Sequence, residues 1–279
     1  MIVDTIDGVY VEQFDSLGEL VEYARDNTER RSSDRRSDTT WYGSASLDDA
    51  VQQCLSGWHD IRPQVDEMFS RMEEHINLAL GEVFETRFDV CGDSVDIDRF
   101  LVGEPEHMMD YVMVPAGRMG RVVRVLVNGS ASCQVDPERI LQRGTVVTAL
   151  IDLMSKLGVG VEVWLESASR DSKTGSVGTQ LTMLHSSEQR LDIDNLMFAL
   201  AHPSMLRRIG FSVMERSAWK PAKYLAVEGG GYGTPHNLTQ GDRIKADVCI
   251  DRLELGIGNE IEDGVAFVMS TVRGLDLMK

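Results

Sequence analysis

The chain has 279 residues, 42% of them apolar, and 45 acidic against 28 basic side chains give a formal charge of −17. That length and apolar fraction support a substantial core, while the charge disfavours phosphate backbones and anionic lipid, so nucleic acid is not the expected partner. No run nears the roughly 18 apolar residues of a membrane span, and the acidic start MIVDTIDGVYVEQF lacks a signal peptide's basic and apolar regions, so the reading is a cytoplasmic protein.

A short strand is predicted at Val9 to Val11, then a helix capped by Asp15 or Ser16 that runs through Leu17, Leu20, Val21 and Ala24. The polar segment from Asn27 to Thr40 lacks apolar anchors. Its basic cluster, ERRSSDRRSD, is interleaved with acids and reads as a solvated flexible loop before it reads as a phosphate-binding arm. Ser46 and an acidic first turn open a helix whose Leu47, Val51, Cys54 and Leu55 share one face. A longer helix is expected from Asp60 to about Leu80, with Ile61, Val65, Met68, Met72 and Ile76 as its stripe. From Val83 to Arg121, glycines and prolines allow only short strands, near Phe84 to Val90 and Tyr111 to Val114. The chain therefore divides into an N-terminal element and mobile loop (1–40), a mainly helical region with short strands (41–118) and an α/β domain (119–279). Cys54, Cys91, Cys133 and Cys249 are too scattered for a disulfide framework or a zinc site and are read as buried free thiols.

Val122 to Val127 has the continuous apolar character of a central strand. After Asn128, Asp136 and Pro137 start a helix that buries Ile140, Leu141, Val147, Leu150, Ile151, Met154 and Leu157 and stops at Gly158. A strand from Val159 to Ser169 completes a right-handed strand–helix–strand unit. The polar loop RDSKTGSVG leads to TQLTMLH, which is expected as an antiparallel strand at the sheet edge. Helices follow from Asp192 and from Pro203, then the Gly-rich loop EGGGYGTPHN, a strand IKADVCID ending at Asp251, and a helix from Asn259 to Gly274. The fold class is α/β with a mostly parallel sheet and flanking helices, preceded by a mainly helical N-terminal region.

In open α/β sheets, binding groups gather at the carboxyl ends of strands, and Asn128 and Asp251 both stand there. The apolar strand followed by Asn128-Gly-Ser130-Ala-Ser132, then long helix, strand, antiparallel strand, helices and a strand ending in Asp251, resembles a von Willebrand factor A domain. The resemblance covers residues 121 to 274. It implies a metal-ion-dependent adhesion motif, Asp-x-Ser-x-Ser, with Asn128 where the first Asp would stand, Ser130 and Ser132 as the serines and Asp251 as a second acid. Ser186 or Ser187 would stand for the Thr. Asn128 offers a carbonyl oxygen without the charge that compensates stripping water from Mg²⁺ or Mn²⁺, and the same residues also serve as an ordinary turn. The N-terminal stretches FDSLGELVEYA and WYGSASLDDAV look like segments of uncharacterised proteins of tailed bacteriophages.

The resemblance implies a protein–protein interaction module, phage-encoded, that binds a protein partner at the carboxyl edge of its sheet through a degenerate or partner-completed divalent-metal site. Ser186, Ser187 and Tyr232 complete the expected contact set, Tyr232 because the Gly-rich loop is long enough to cover that edge. No histidine forms a HExxH or HxH pair, and Gly129-Ser130-Ala131-Ser132 lacks GxSxG spacing. The alternatives are a metal-assisted or nucleotide-processing enzyme, in which His185, Asp136 and Glu166 join Asp251, and a phage assembly component whose loop at Asn27 to Thr40 orders on contact.

Overall fold

The computed structural model describes residues 1–28, 32–34, 38–59, 62–63, 66–67, 70, 82–115, 121–222, 231–253 and 261–277. Most of the helix expected from Asp60 to Leu80, much of the basic cluster and the first residues of the Gly-rich loop lie outside them.

The chain begins with a hairpin, β1 (Ile2–Ile6) and β2 (Val9–Phe14), turned through Asp7 and Gly8, both at positive φ. Helix α1 (Leu17–Arg25) starts where the Ser16 side chain accepts Glu19 N–H, and it buries Leu20, Val21 and Ala24. The short α2 (Thr39–Tyr42) and α3 (Leu47–Ser56) follow, α3 capped by Ser46. Next come β3 (Glu82–Asp89), β4 (Ser94–Val95), α4 (Ile97–Leu101) and β5 (Met108–Pro115). Strand β6 (Val122–Asn128), α5 (Pro137–Lys156), β7 (Gly160–Arg170) and β8 (Val177–His185) lie close to their expected positions. Helix α6 (Ile193–Ala201) leads to a π-helical stretch, Met205–Gly210, continuous with α7 (Phe211–Arg216). The last elements are β9 (Thr234–Pro235), α8 (Gly241–Ile244), β10 (Val248–Ile250) and α9 (Ile261–Gly274).

The main sheet has the order β1-β2-β8-β7-β6-β10, with β9 added alongside β7. Strands β7, β6 and β10 are parallel, β8 is antiparallel to β7, and β2 is parallel to β8. The sheet is thus mixed, and two sequence expectations change. The N-terminus opens with strands rather than a helical region, and β8 is an interior strand because β2 occupies its free side. The reason is burial on both faces of β2: Val11 packs with Leu126, Trp164 and Leu181 on one face, and Phe14 enters the main core on the other. Strands β3, β5 and β4 form a separate sheet.

One hydrophobic cluster joins the N-terminal elements to the parallel half. Leu20, Leu47 and Val51 lie in it with Val123, Val125, Val147, Leu150, Phe198, Val268 and Val272. The opposite face of the sheet is covered more thinly, by Leu238, Ile244 and Ala246. All four cysteines are free, but only Cys54 is buried; Cys91, Cys133 and Cys249 are exposed, contrary to their reading as core thiols. Arg207 and Arg208 are instead among the largest fully buried side chains. Their guanidinium groups satisfy loop carbonyls, Arg207 donating to Trp41 O at 2.7 Å and to Val135 O, and Arg208 to Ser33 O and Ser44 O. Each also lies over a ring, Trp41 and Tyr42 respectively, which fixes the α2 segment against the helical layer.

Candidate functional site

Strand β6 ends at a hydrogen-bonded node. The fully buried Asn128 side chain accepts Ser130 N–H at 2.9 Å through Oδ1. Its Nδ2 donates to His236 O at 2.8 Å and to Asp251 Oδ1 at 3.1 Å. From α5, Arg143 donates to the carbonyl oxygens of Asn128 at 2.8 Å and Asp251 at 2.7 Å. Burial lowers the pKa of that guanidinium to about 10, and Asp251 opposes the shift. The Ser130 hydroxyl donates to Ala168 O at 2.9 Å and accepts Ala168 N–H at 2.8 Å, tying the turn to β7. Ser132 Oγ accepts Gln134 N–H.

Of the residues expected to hold a metal, Asn128, Ser130 and Asp251 therefore meet in one network, with Ser132 on the adjoining loop. The node contains one carboxylate and one guanidinium, and no cluster of three His, Cys, Asp or Glu side chains fit for a metal occurs among the described residues. The additional acids face other tasks: Asp136 caps α5, and the fully buried Glu166 accepts bonds from Thr179, Thr239 and Gln240, pinning the 239–240 turn to the sheet. Ser186 and Ser187 lie elsewhere. Because β8 runs against β7, His185 pairs with Val163 near the start of that strand, and Ser187 Cβ lies beside Gly160. They occupy the edge opposite Asn128 and Asp251, as does His185, which removes that histidine from the acid it was expected to join.

Tyr232 stands at the carboxyl edge, stacked on Phe211 with ring centroids 3.7 Å apart and donating to Glu215 Oε1 at 2.6 Å. It helps to enclose a cavity of about 430 Å³, whose wall Ser130 and Ser132 also reach. The floor is set by strand register. Tyr10, Gly178 and Ser169 form one row across β2, β8 and β7, and Glu12, Gln180 and Ser167 form the next. Gly and Ser leave the depression. At Gly178 a Cβ would come within 2.5 Å of the Trp219 indole, which rests directly on the strand. Trp41, Arg207, Phe211, Met214 and Tyr232 close the other sides.

Glu12 is the least expected member. It is 1% exposed; its Oε1 accepts Ser217 Oγ–H at 2.8 Å and Ala218 N–H at 3.3 Å. Burial pushes its pKa up, against the lowering effect of those bonds. The buried Tyr10 hydroxyl lies beside Glu12, and burial followed by the Glu12 charge raises its pKa to about 12. The sequence reading missed both, although VYVEQF carried the signal: Tyr10, Glu12 and Phe14 alternate onto one face, so an acid shares the side of a core aromatic.

These features define an α/β protein with a mixed sheet whose carboxyl edge carries a polar node beside an aromatic cavity. The chain belongs to the family described as a domain of unknown function, DUF7192, whose model matches residues 3–277. No curated protein and no solved structure matches it. Among the described residues no helix is long and apolar enough to cross a membrane.

Proposed function

We propose that the protein is a non-enzymatic binding protein that takes a small ligand in the cavity above β2, β7 and β8. The supporting observation is the construction of that cavity: side chains from β2, α2, the Ser130 loop, β7, β8, the 205–219 segment and the Gly-rich loop converge on about 430 Å³, a size and aromatic character usual for small-molecule sites. Binding is favoured over catalysis because the best-placed hydroxyl, that of Ser130, is engaged by Ala168 on both its donor and acceptor sides. The test is ligand-observed NMR with a mixture of small aromatic fragments, on the parent and on Ser169→Phe, which fills the floor. Fragments should bind the parent and lose contact in the variant. Binding that survives the filling, or no binding to the parent, overturns the proposal.

A second reading keeps the von Willebrand A-like interaction module, with a protein partner at the same edge and Mg²⁺ or Mn²⁺ completing the contact. It is favoured by the order of elements from β6 to β10 and by the contact between Asn128 and Asp251. In this reading the partner supplies the carboxylate that Asn128 does not, and the N-terminal resemblance to tailed-phage proteins suggests its setting. Calorimetric titration of chelator-treated protein with either ion, repeated on Asp251→Ala, tests the metal. Saturable heat lost in the variant supports it, and identical titrations remove Asp251 from any metal site.

A further inference from the structure

We propose that the cavity selects an uncharged, flat heterocycle whose edge carries a hydrogen-bond donor beside an acceptor, a nucleobase or nucleoside, read by the amide of Gln180. The proposal rests on the binding role of the cavity and adds its ligand class. It starts from the polar groups of the floor that the fold does not use. Gln180 is half-buried and lines the cavity. Among the described residues no group hydrogen-bonds its amide, and neither amide atom is closed off from solvent. The hydroxyls of Ser167 and Ser169, half-buried in the same floor, are in the same condition.

Strand register sets these three groups side by side. Gln180 stands directly opposite Ser167 in the antiparallel pair, and Ser169 lies two residues along β7 on the same face; facing Cβ atoms in such a pair are about 5 Å apart. Strand β8 is interior, between β2 and β7, so the space open to these side chains is the cavity above them. A primary amide offers an acceptor and a donor in one plane. It makes two parallel hydrogen bonds to an edge that presents the complementary couple, as Gln does with adenine, and a neighbouring hydroxyl takes a third group. The other walls are aromatic: the Trp219 indole rests on β8 at Gly178, and Tyr232 is stacked on Phe211. Polar groups along one side and rings on the others suit a ligand with a hydrogen-bonding edge and apolar faces. A sugar, with hydroxyls around its whole rim, would leave some of them unpaired against the rings. Negative charge is disfavoured as well. The guanidinium that lines the cavity, that of Arg207, is held by Trp41 O and Val135 O over the Trp41 ring, and the formal charge of −17 repels a phosphate.

The experiment is a ligand-observed NMR titration with 9-methyladenine, which carries an N–H donor beside a ring acceptor, and 9-methylpurine, which keeps the ring and lacks the donor. Methyl glucoside is the polyol control. The proteins are the parent, Gln180→Leu, which keeps the side chain's approximate size and removes both amide partners, and Ser169→Phe, which fills the floor; thermal unfolding by circular dichroism verifies that each variant is folded. The expected result is on the order of tenfold tighter binding of 9-methyladenine than of 9-methylpurine by the parent, the discrimination that one bidentate amide contact supplies. The ratio should fall to near one in Gln180→Leu, and Ser169→Phe should lose both probes. Equal binding of the two probes by the parent would overturn the reading of the edge while leaving the cavity as a binding site. Binding of neither would overturn the nucleobase class, and the fragment screen would then decide separately whether the cavity binds anything. A preference unchanged in Gln180→Leu, or methyl glucoside bound as tightly as 9-methyladenine, would refute the proposal.

Discussion

Replacing Asn128 with Asp separates the two readings of the β6 terminus, because it leaves side-chain volume almost unchanged while reversing the character of one atom. Asn128 Nδ2 now donates to His236 O at 2.8 Å and to Asp251 Oδ1 at 3.1 Å. In Asn128→Asp an oxygen faces both acceptors in a fully buried position. Two hydrogen bonds worth about 1 kcal/mol each are lost, and two carboxylates about 4 Å apart repel by up to roughly 4 kcal/mol at an effective dielectric near 20. Arg143, which donates to the backbone oxygens of both residues, offsets part of that. The expected net loss is about 3–5 kcal/mol, the range for an uncompensated buried charge, read as a lower urea midpoint with unchanged slope in chelator-containing buffer. Adding Mg²⁺ or Mn²⁺ is the second arm. If the adhesion-type site exists in latent form, the divalent ion restores stability to the variant by about 2.7 kcal/mol at one hundred times its dissociation constant. Loss without rescue would establish the node and dismiss the metal. A variant as stable as the parent in chelator would refute the reasoning itself, since the amide could not then face Asp251 as described.

Other consequences are more local. Glu12→Gln should stabilise the protein at pH 8, because it removes a buried charge. The folded pKa of Glu12 is raised, so ionisation opposes folding above that pKa, and the gain should fade as the pH falls from the raised pKa towards the ordinary carboxylate value and be absent below it; a variant less stable than the parent at pH 8 contradicts this. His202 is buried between Trp58 and Phe198, and burial lowers its pKa from 6.5 to about 4. Its contribution is intact above pH 6.5 and is lost as the pH falls towards 4, by about 3 kcal/mol, so His202→Phe should flatten that limb of a stability–pH curve, and an unchanged limb would assign the acid sensitivity elsewhere. At Gly144 on α5 a Cβ would lie 2.3 Å from Ala201 Cα on α6. Gly144→Ala should therefore destabilise by about 1–3 kcal/mol despite the roughly 1 kcal/mol that Ala normally gains within a helix, and a raised melting temperature would show that the two helices separate freely.

The parallel half was legible because its signals are local. Apolar Val122 to Val127, the Asp136-Pro137 start and the Gly158 stop each act within a few residues, and each element formed near its expected place. The partner of β2 was not legible. Val9 to Val11 reads as a strand from its own residues, but pairing with β8 depends on an interior slot created by a chain segment about 170 residues later, and local patterning carries no trace of it. The same gap misplaced Ser186 and Ser187: strand direction, which follows from pairing, decides the edge on which a strand ends. Burial of Arg207 and Arg208 was equally hidden, since their partners are carbonyl oxygens, which every residue type supplies.

The candidate site shows the cost of that gap most directly. The motif that drew attention, Asn128 to Ser132, spends most of its polar groups on itself, on Ala168, on His236 and on Asp251. Glu12 and Tyr10, which line the cavity, come from the N-terminal hairpin that lies outside the resemblance. Without β2 the depression over Gly178 and Ser167 would be an open strand edge, and the aromatic roof would face water. The hairpin thus does two things at once: it extends the sheet past β8, and it brings a buried carboxylate to a place where small residues on β7 and β8 leave room beside it.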